Sequence, residues 1–147
     1  MQNPFTERWS SYFLDVADRT ALQSKDPSTK CGAVIVNDKR RIIATGFNGF
    51  PESIEDRQEW LDDREVKYSL VTHAEVNAVL NAAADVNGAH LFITGPSCPE
   101  CTKFIIAAGI KTVHWRMGQT DFLERWKDRL KISADIYEKA NITPFVY

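Results

Sequence analysis

From His73 onward the chain alternates stretches of helical period with short apolar runs, and this alternation constrains the fold more than any other feature of the sequence. Residues 73–84 read as an alanine-rich helix, 90–94 as a short strand and 98–108 as a second helix closed by Gly109. Residues 111–115 then read as a strand, 121–140 as a long amphipathic helix and 143–146 as a last edge strand. A glycine just past the last helical turn suits the left-handed position that ends helices, and strand–helix–strand units close as right-handed parallel crossovers. Upstream, Phe5, Trp9, Tyr12, Phe13, Val16 and Ala17 have helical spacing. Residues 24–29 are turn chemistry, and 31–36 and 41–47 read as an antiparallel hairpin around Asn37-Asp38. The order α-β-β-α-β-α-β-α predicts an α/β fold: a three-layer α/β/α sandwich with a central mixed five-stranded sheet, formed by residues 1–147 as one domain. The charged stretch 52–67 carries no assignment.

A chain of 147 residues, 44% of them hydrophobic, can bury a core without disulfide staples. Its formal charge of −2 arises from 18 basic and 20 acidic residues, which argues against a polynucleotide partner, because that needs a clustered cationic surface. A small phosphorylated ligand needs only a few placed donors. Residues 1–7 have neither the basic nor the apolar segment of a secretory leader, and the longest apolar runs, such as 104–110, are too short to span a bilayer. No membrane association is therefore expected. Three cysteines, an odd count, do not make a secreted disulfide framework. The expected setting is the reducing cytoplasm, whether the gene belongs to a cell or to a virus infecting one.

Two short motifs carry chemistry: His73-Ala74-Glu75 and Cys98-Pro99-Glu100-Cys101, each at a helix start. One imidazole and two thiolates make a three-donor zinc set with a fourth tetrahedral position left for water. Helix N-termini favour thiolates, and Cys98 and Cys101, three apart, share one helix face. His73 and Glu75, two apart, are poorly spaced to chelate one ion together, so His73 is the donor and Glu75 the group free to reach water. Other readings stand beside this one. Thr72-x-x-Glu75 and Ser97-x-x-Glu100 each fit a capping box. The C-x-x-C also fits a redox pair or half of a four-cysteine site, although Cys31, inside an apolar strand, reads as a small core residue without a near partner.

The H-x-E…P-C-x-x-C pattern is the signature of zinc nucleobase deaminases. Ser24-Lys25-Asp26-Pro27, Cys31-Gly32-Ala33-Val34-Ile35-Val36, Gly46-Phe47-Asn48-Gly49, His73-Ala74-Glu75-Val76-Asn77-Ala78 and Ala107-Ala108-Gly109-Ile110 occur in an order that resembles the deoxycytidylate (dCMP) deaminases over nearly the whole chain. The resemblance implies a cytidine deaminase-like fold, zinc held by His73, Cys98 and Cys101, and hydrolytic deamination of dCMP to dUMP and ammonia. Glu75 would move the proton between water and pyrimidine N3. The Ala74 backbone would meet the pyrimidine edge, Asn48 would hold the sugar hydroxyl, and Ser24 and Lys25 would belong to the phosphate clamp. The resemblance also implies a homo-oligomer, often a hexamer, with dCTP and dTTP as effectors. The chain departs from the family pattern at Ser97, which separates Pro96 from Cys98, and at Asn81 and Ala84, where some members carry an aromatic residue and an arginine. Ser97 is expected as an N-cap or as a partner of the exocyclic amine. The alternatives are a deaminase of dCTP, a 5-substituted dCMP or another superfamily substrate, and a non-catalytic zinc or nucleotide module, which would not need Glu75.

Overall fold

The computed structural model describes residues 1–118 and 120–147. The elements are α1 (Glu7–Ala21), β1 (Gly32–Val36), β2 (Ile42–Phe47), α2 (Gln58–Asp62), α3 (Arg64–Leu70), α4 (Ala74–Asn81), β3 (His90–Ile93), α5 (Pro99–Ala107), β4 (Thr112–Trp115), α6 (Thr120–Lys139) and β5 (Thr143–Val146). The strands form one mixed sheet in the order β2-β1-β3-β4-β5. β1 is antiparallel to both β2 and β3, while β3/β4 and β4/β5 are parallel. The expected hairpin and the expected parallel crossovers are both present.

Side-chain alternation explains the three layers. Val34 and Val36 of β1 and Phe92 of β3 share one face, where Phe5 and the α1 residues Phe13, Leu14 and Ala17 cover them. Ala33, Ile35, Leu91, Ile93 and Val113 form the other face and pack on Ala74 and Ala78 of α4, Cys101 and Ile105 of α5 and Tyr137 of α6. Every residue of β1 is buried because both faces are covered, so the strand is a continuous Gly-Ala-Val-Ile-Val run. Asn77 and Asn81 of α4 donate from their side-chain amides to the carbonyls of Phe47 (2.8 Å) and Thr45 (3.0 Å), tying the helix to the sheet edge. No helix among the described residues is long and apolar enough to cross a membrane.

Several boundaries differ from expectation. The stretch 52–67, unassigned from sequence, supplies α2 and most of α3, and Asp63 caps α3 by accepting from the main-chain N–H groups of Glu65 and Val66. Helix α4 stops at Asn81, short of residue 84, because Ala82 is extended. Neither Thr72 nor Ser97 is a cap. The N-cap residues of α4 and α5 are His73 and Cys98. Gly109 does close α5 with φ of +80°, and a Cβ there would lie 2.2 Å from Asn87 Oδ1.

On the α1 side of the sheet, a buried polar chain runs across β3 and β4. His90 bonds Asp38 through Nε2 (2.8 Å) and Thr112 Oγ1 through Nδ1 (2.7 Å), Thr112 Oγ1 bonds His114 Nε2 (2.7 Å), and His114 Nδ1 bonds the Tyr147 hydroxyl (3.0 Å). The Tyr147 hydroxyl in turn donates to Ser10 Oγ of α1 at 2.8 Å. Burial, reinforced by His90, holds the His114 pKa down at about 3. The unfolded chain therefore binds a proton that the folded chain refuses between the ordinary value of 6.5 and about 3. Stability from this group is full above pH 6.5 and falls as pH drops below it, by about 2 kcal/mol at pH 5. Chemical denaturation of the wild type and of His114→Gln across pH 5–8 is expected to show a shallower loss in the variant; equal slopes would exclude His114 as the source.

Candidate metal centre and its cavity

Two helix starts converge on one spot. His73 and Cys98, each the last residue before its helix, have extended backbone, while Cys101 sits in the first turn of α5. Cys98 Sγ accepts from the Cys101 main-chain N–H at 3.4 Å. His73 Nδ1 lies 3.1 Å from Cys101 Sγ and 3.5 Å from Cys98 Sγ, and all three donor atoms are within 4.8 Å of one another. Zinc bonded at its usual lengths in a tetrahedron sets nitrogen and sulfur donors about 3.6 Å apart. The spacing and the N/S/S donor chemistry thus fit zinc. The Cys101 thiol and then His73 hold Cys98 down at about 5, and Cys101, bonded to Cys98 and buried, is pushed well up. A Cys98 sulfur held as thiolate is in the form that ligates a metal.

The centre opens into a cavity of about 570 Å³ whose wall includes His73, Ala74, Glu75, Cys98, Cys31 and Asn48. Glu75 is 8% exposed, and burial lifts its carboxyl above the usual range against the opposing pull of its own N–H and His73. Ala74 occupies the first helical position, so its N–H has no intrahelical acceptor. Cys31 is partly buried, packing against the core cluster while also bordering this cavity, with its thiol pushed up to about 12 by burial first and the Glu75 charge next.

The remaining expected residues fall into two groups. Asn48 lies in the cavity wall, where its Oδ1 accepts from the Cys31 N–H (2.8 Å) and its Nδ2 donates to the Thr29 carbonyl (2.9 Å). One amide hydrogen and one lone pair stay available. Ser24, Lys25 and Ser97 are placed outside the wall. The Ser24 hydroxyl donates to the Asn48 carbonyl at 2.8 Å. The Lys25 side chain, 68% exposed, pairs with Asp56 at 2.8 Å. The Ser97 hydroxyl is bonded to Thr102 Oγ1 (2.9 Å) and the Tyr137 hydroxyl (2.6 Å), and its carbonyl accepts from Ser133 (2.9 Å). Ser97 therefore ties the Cys98 turn to α5 and α6.

Sequence reasoning missed the wall built by α3 and α6, including Lys67, Tyr68, Phe122 and Trp126. Lys67, buried with Asp26, bonds it at 3.1 Å and clamps α3 onto the 24–29 turn. Burial pushes the Asp26 carboxyl up, but the N–H groups of Ser28 and Thr29, with Lys67, outweigh it and hold the group below its usual range. The Asp-Pro-Ser-Thr run that makes this Asx turn was readable in the sequence. No local signal marked Lys67.

Residues 7–117 match the family model described as the cytidine and deoxycytidylate deaminase zinc-binding region. The chain belongs to that family. It is 38% identical over 135 residues to an uncharacterized deaminase in the luxG 3′ region of Aliivibrio fischeri, covering 92% of this chain and 90% of the relative. It is 42% identical over 111 residues to the deoxycytidylate deaminase of Mus musculus, covering 71% of this chain and 62% of that protein, so it spans under two thirds of the mouse relative's length. Among solved structures, the dCMP deaminase of the cyanophage S-TIM5 shares the fold of this deaminase-family chain, with a TM-score of 0.76 and 24% identity over 97% of this chain and 100% of that one.

Proposed function

We propose that the protein is a zinc hydrolase that converts dCMP and water to dUMP and ammonia, with the metal held by His73, Cys98 and Cys101. The observation that carries the reaction class is a buried carboxylate, Glu75, two residues from the imidazole donor and in the wall of the cavity onto which the donor set opens. A purely structural zinc site has no use for such a group. The choice of dCMP rests on the 42% identity to the mouse deoxycytidylate deaminase.

When bound, zinc supplies Lewis acidity that makes water nucleophilic near neutral pH. In this reading the chain's own groups do the rest. The Ala74 N–H, pointing from a helix start, orients the pyrimidine edge, and Asn48 offers its remaining amide hydrogen to the sugar. Glu75 takes a proton from the attacking water and passes it to N3 as the new C4–O bond forms; it then takes the proton of the new C4 hydroxyl and gives it to the departing amine as the C4–N bond breaks, leaving a C4 carbonyl and ammonia. Because Glu75 is enclosed, those protons stay with the reacting atoms.

Incubating the zinc-loaded protein with dCMP, dCTP, deoxycytidine and 5-methyl-dCMP, and following loss of the 4-amino group by ultraviolet absorbance, tests this. The expected result is dCMP turnover exceeding that of deoxycytidine by about a hundredfold or more in kcat/KM. A preference for dCTP or the methylated nucleotide would overturn the substrate, and no turnover of any of them by zinc-loaded protein would overturn the enzyme.

A further inference from the structure

The family match ends at residue 117, yet helix α6, which begins at Thr120, supplies Phe122, Arg125, Trp126, Arg129 and Leu130 to the cavity wall. The wall is thus completed by a segment beyond the residues that the family model matches. Four cationic side chains line it: Arg64, Lys67, Arg125 and Arg129. Two are committed. Lys67 holds Asp26 and also donates to Ser28 Oγ at 3.2 Å, and Arg129 donates from Nη2 to both carboxylate oxygens of Glu100. Arg64 and Arg125 have no carboxylate partner among the described residues. The Arg64 guanidinium lies 5.2 Å from the centre of the Tyr68 ring, and among the described residues Arg125 bonds only the Asp121 carbonyl of its own helix, from Nε at 3.4 Å. Of the wall's three carboxylates, Asp26 is balanced by Lys67, Asp62 accepts from Gln58 at 2.9 Å, and Glu75 stands two residues from His73 beside the metal donors.

Resting on the dCMP reading, we infer that Arg125 of α6 and Arg64 of α3 take the substrate's phosphate, so that these two helices, and not the Ser24-Lys25 turn, set the preference for nucleotide over nucleoside. A guanidinium offers two parallel N–H donors to a pair of phosphate oxygens. Neither arginine has an existing ion pair to break, whereas Lys25 is outside the wall and already bound to Asp56. The aromatic side chains of Phe122 and Trp126 beside Arg125 exclude water and strengthen the attraction to a dianion.

The test compares wild type, Arg64→Ala, Arg125→Ala, the double variant and Lys25→Ala, each zinc-loaded. Two quantities are measured: the kcat/KM ratio of dCMP to deoxycytidine, and calorimetric binding of dUMP against deoxyuridine. The double variant is expected to lose about a hundredfold of the dCMP-to-deoxycytidine ratio, chiefly through KM, and to lose the same advantage of dUMP over deoxyuridine. A ratio unchanged in both arginine variants, an equal fall on dCMP and deoxycytidine, or loss of the ratio in Lys25→Ala alone would each overturn the assignment while leaving dCMP deamination standing. A wild type that turns over no cytosine nucleotide and binds neither product form would overturn the dCMP reading, and this assignment with it.

Discussion

Glu75→Gln is expected to keep one zinc per chain and to lose about a thousandfold or more in dCMP turnover, the upper range for a positioned general acid–base. The side chain sits in an enclosed wall, 8% exposed, so the amide fits the same space. It can still offer a lone pair, but it can neither accept a proton from water nor release one to the leaving amine. Zinc content isolates the chemistry from the architecture, because the donor set is His73, Cys98 and Cys101 and does not include Glu75. Metal analysis alongside initial rates therefore separates three cases. Zinc retained with turnover lost supports the proton-carrying role. Turnover retained would eliminate it, and zinc lost would make Glu75 part of the metal's own surroundings.

Gly46→Ala is expected to destabilise the protein by about 3 kcal/mol, the upper end for overpacking. A Cβ at Gly46 would lie 2.3 Å from the Ala78 main-chain nitrogen and 2.6 Å from the Ala74 carbonyl oxygen. Both obstacles are backbone of α4, so no side-chain rotation relieves them and the helix must move off β2. The first turn of α4 carries Ala74 and Glu75, and His73 caps it, so the displacement reaches the metal centre as well as the core. Thermal unfolding should fall by roughly 10 °C for a chain of this size, with weakened zinc retention in a competition with a chelator. A variant as stable as wild type would show that the α4–β2 approach is not set by Gly46. Gly49, which has nothing within 4 Å of its Cβ direction, is the control within the same motif.

The parts of this molecule that were readable in the sequence are those governed by neighbours in the chain. The apolar run Val34-Ile35-Val36 predicts a strand, and Gly109 marks the end of α5, because both depend on local backbone geometry. The Cys98/Cys101 pair predicts shared ligation because residues three apart share a helix face. Helices α2 and α3 were not readable. Their stretch is rich in charge and lacks an apolar period, and they are held by Asp63 at a cap and by Lys67 reaching Asp26, a bond between residues far apart in the chain. The capping boxes at Thr72 and Ser97 also misled. His73 and Cys98, the proposed metal donors, occupy the caps themselves, and the Ser97 hydroxyl is drawn instead to Tyr137 on α6.

Sequence alone determined that strands and helices alternate around a mixed sheet and which side chains can bind a metal and carry a proton, since these follow from residue type and short spacing. The tertiary structure alone decided which cations line the cavity and which are spent elsewhere. Lys25 is turned outward to Asp56, Lys67 inward to Asp26, and Arg64 and Arg125 line the cavity without a carboxylate partner among the described residues. The physical reason is that a charge's role depends on the partner that neutralises it, and that partner is brought by packing and not by sequence proximity.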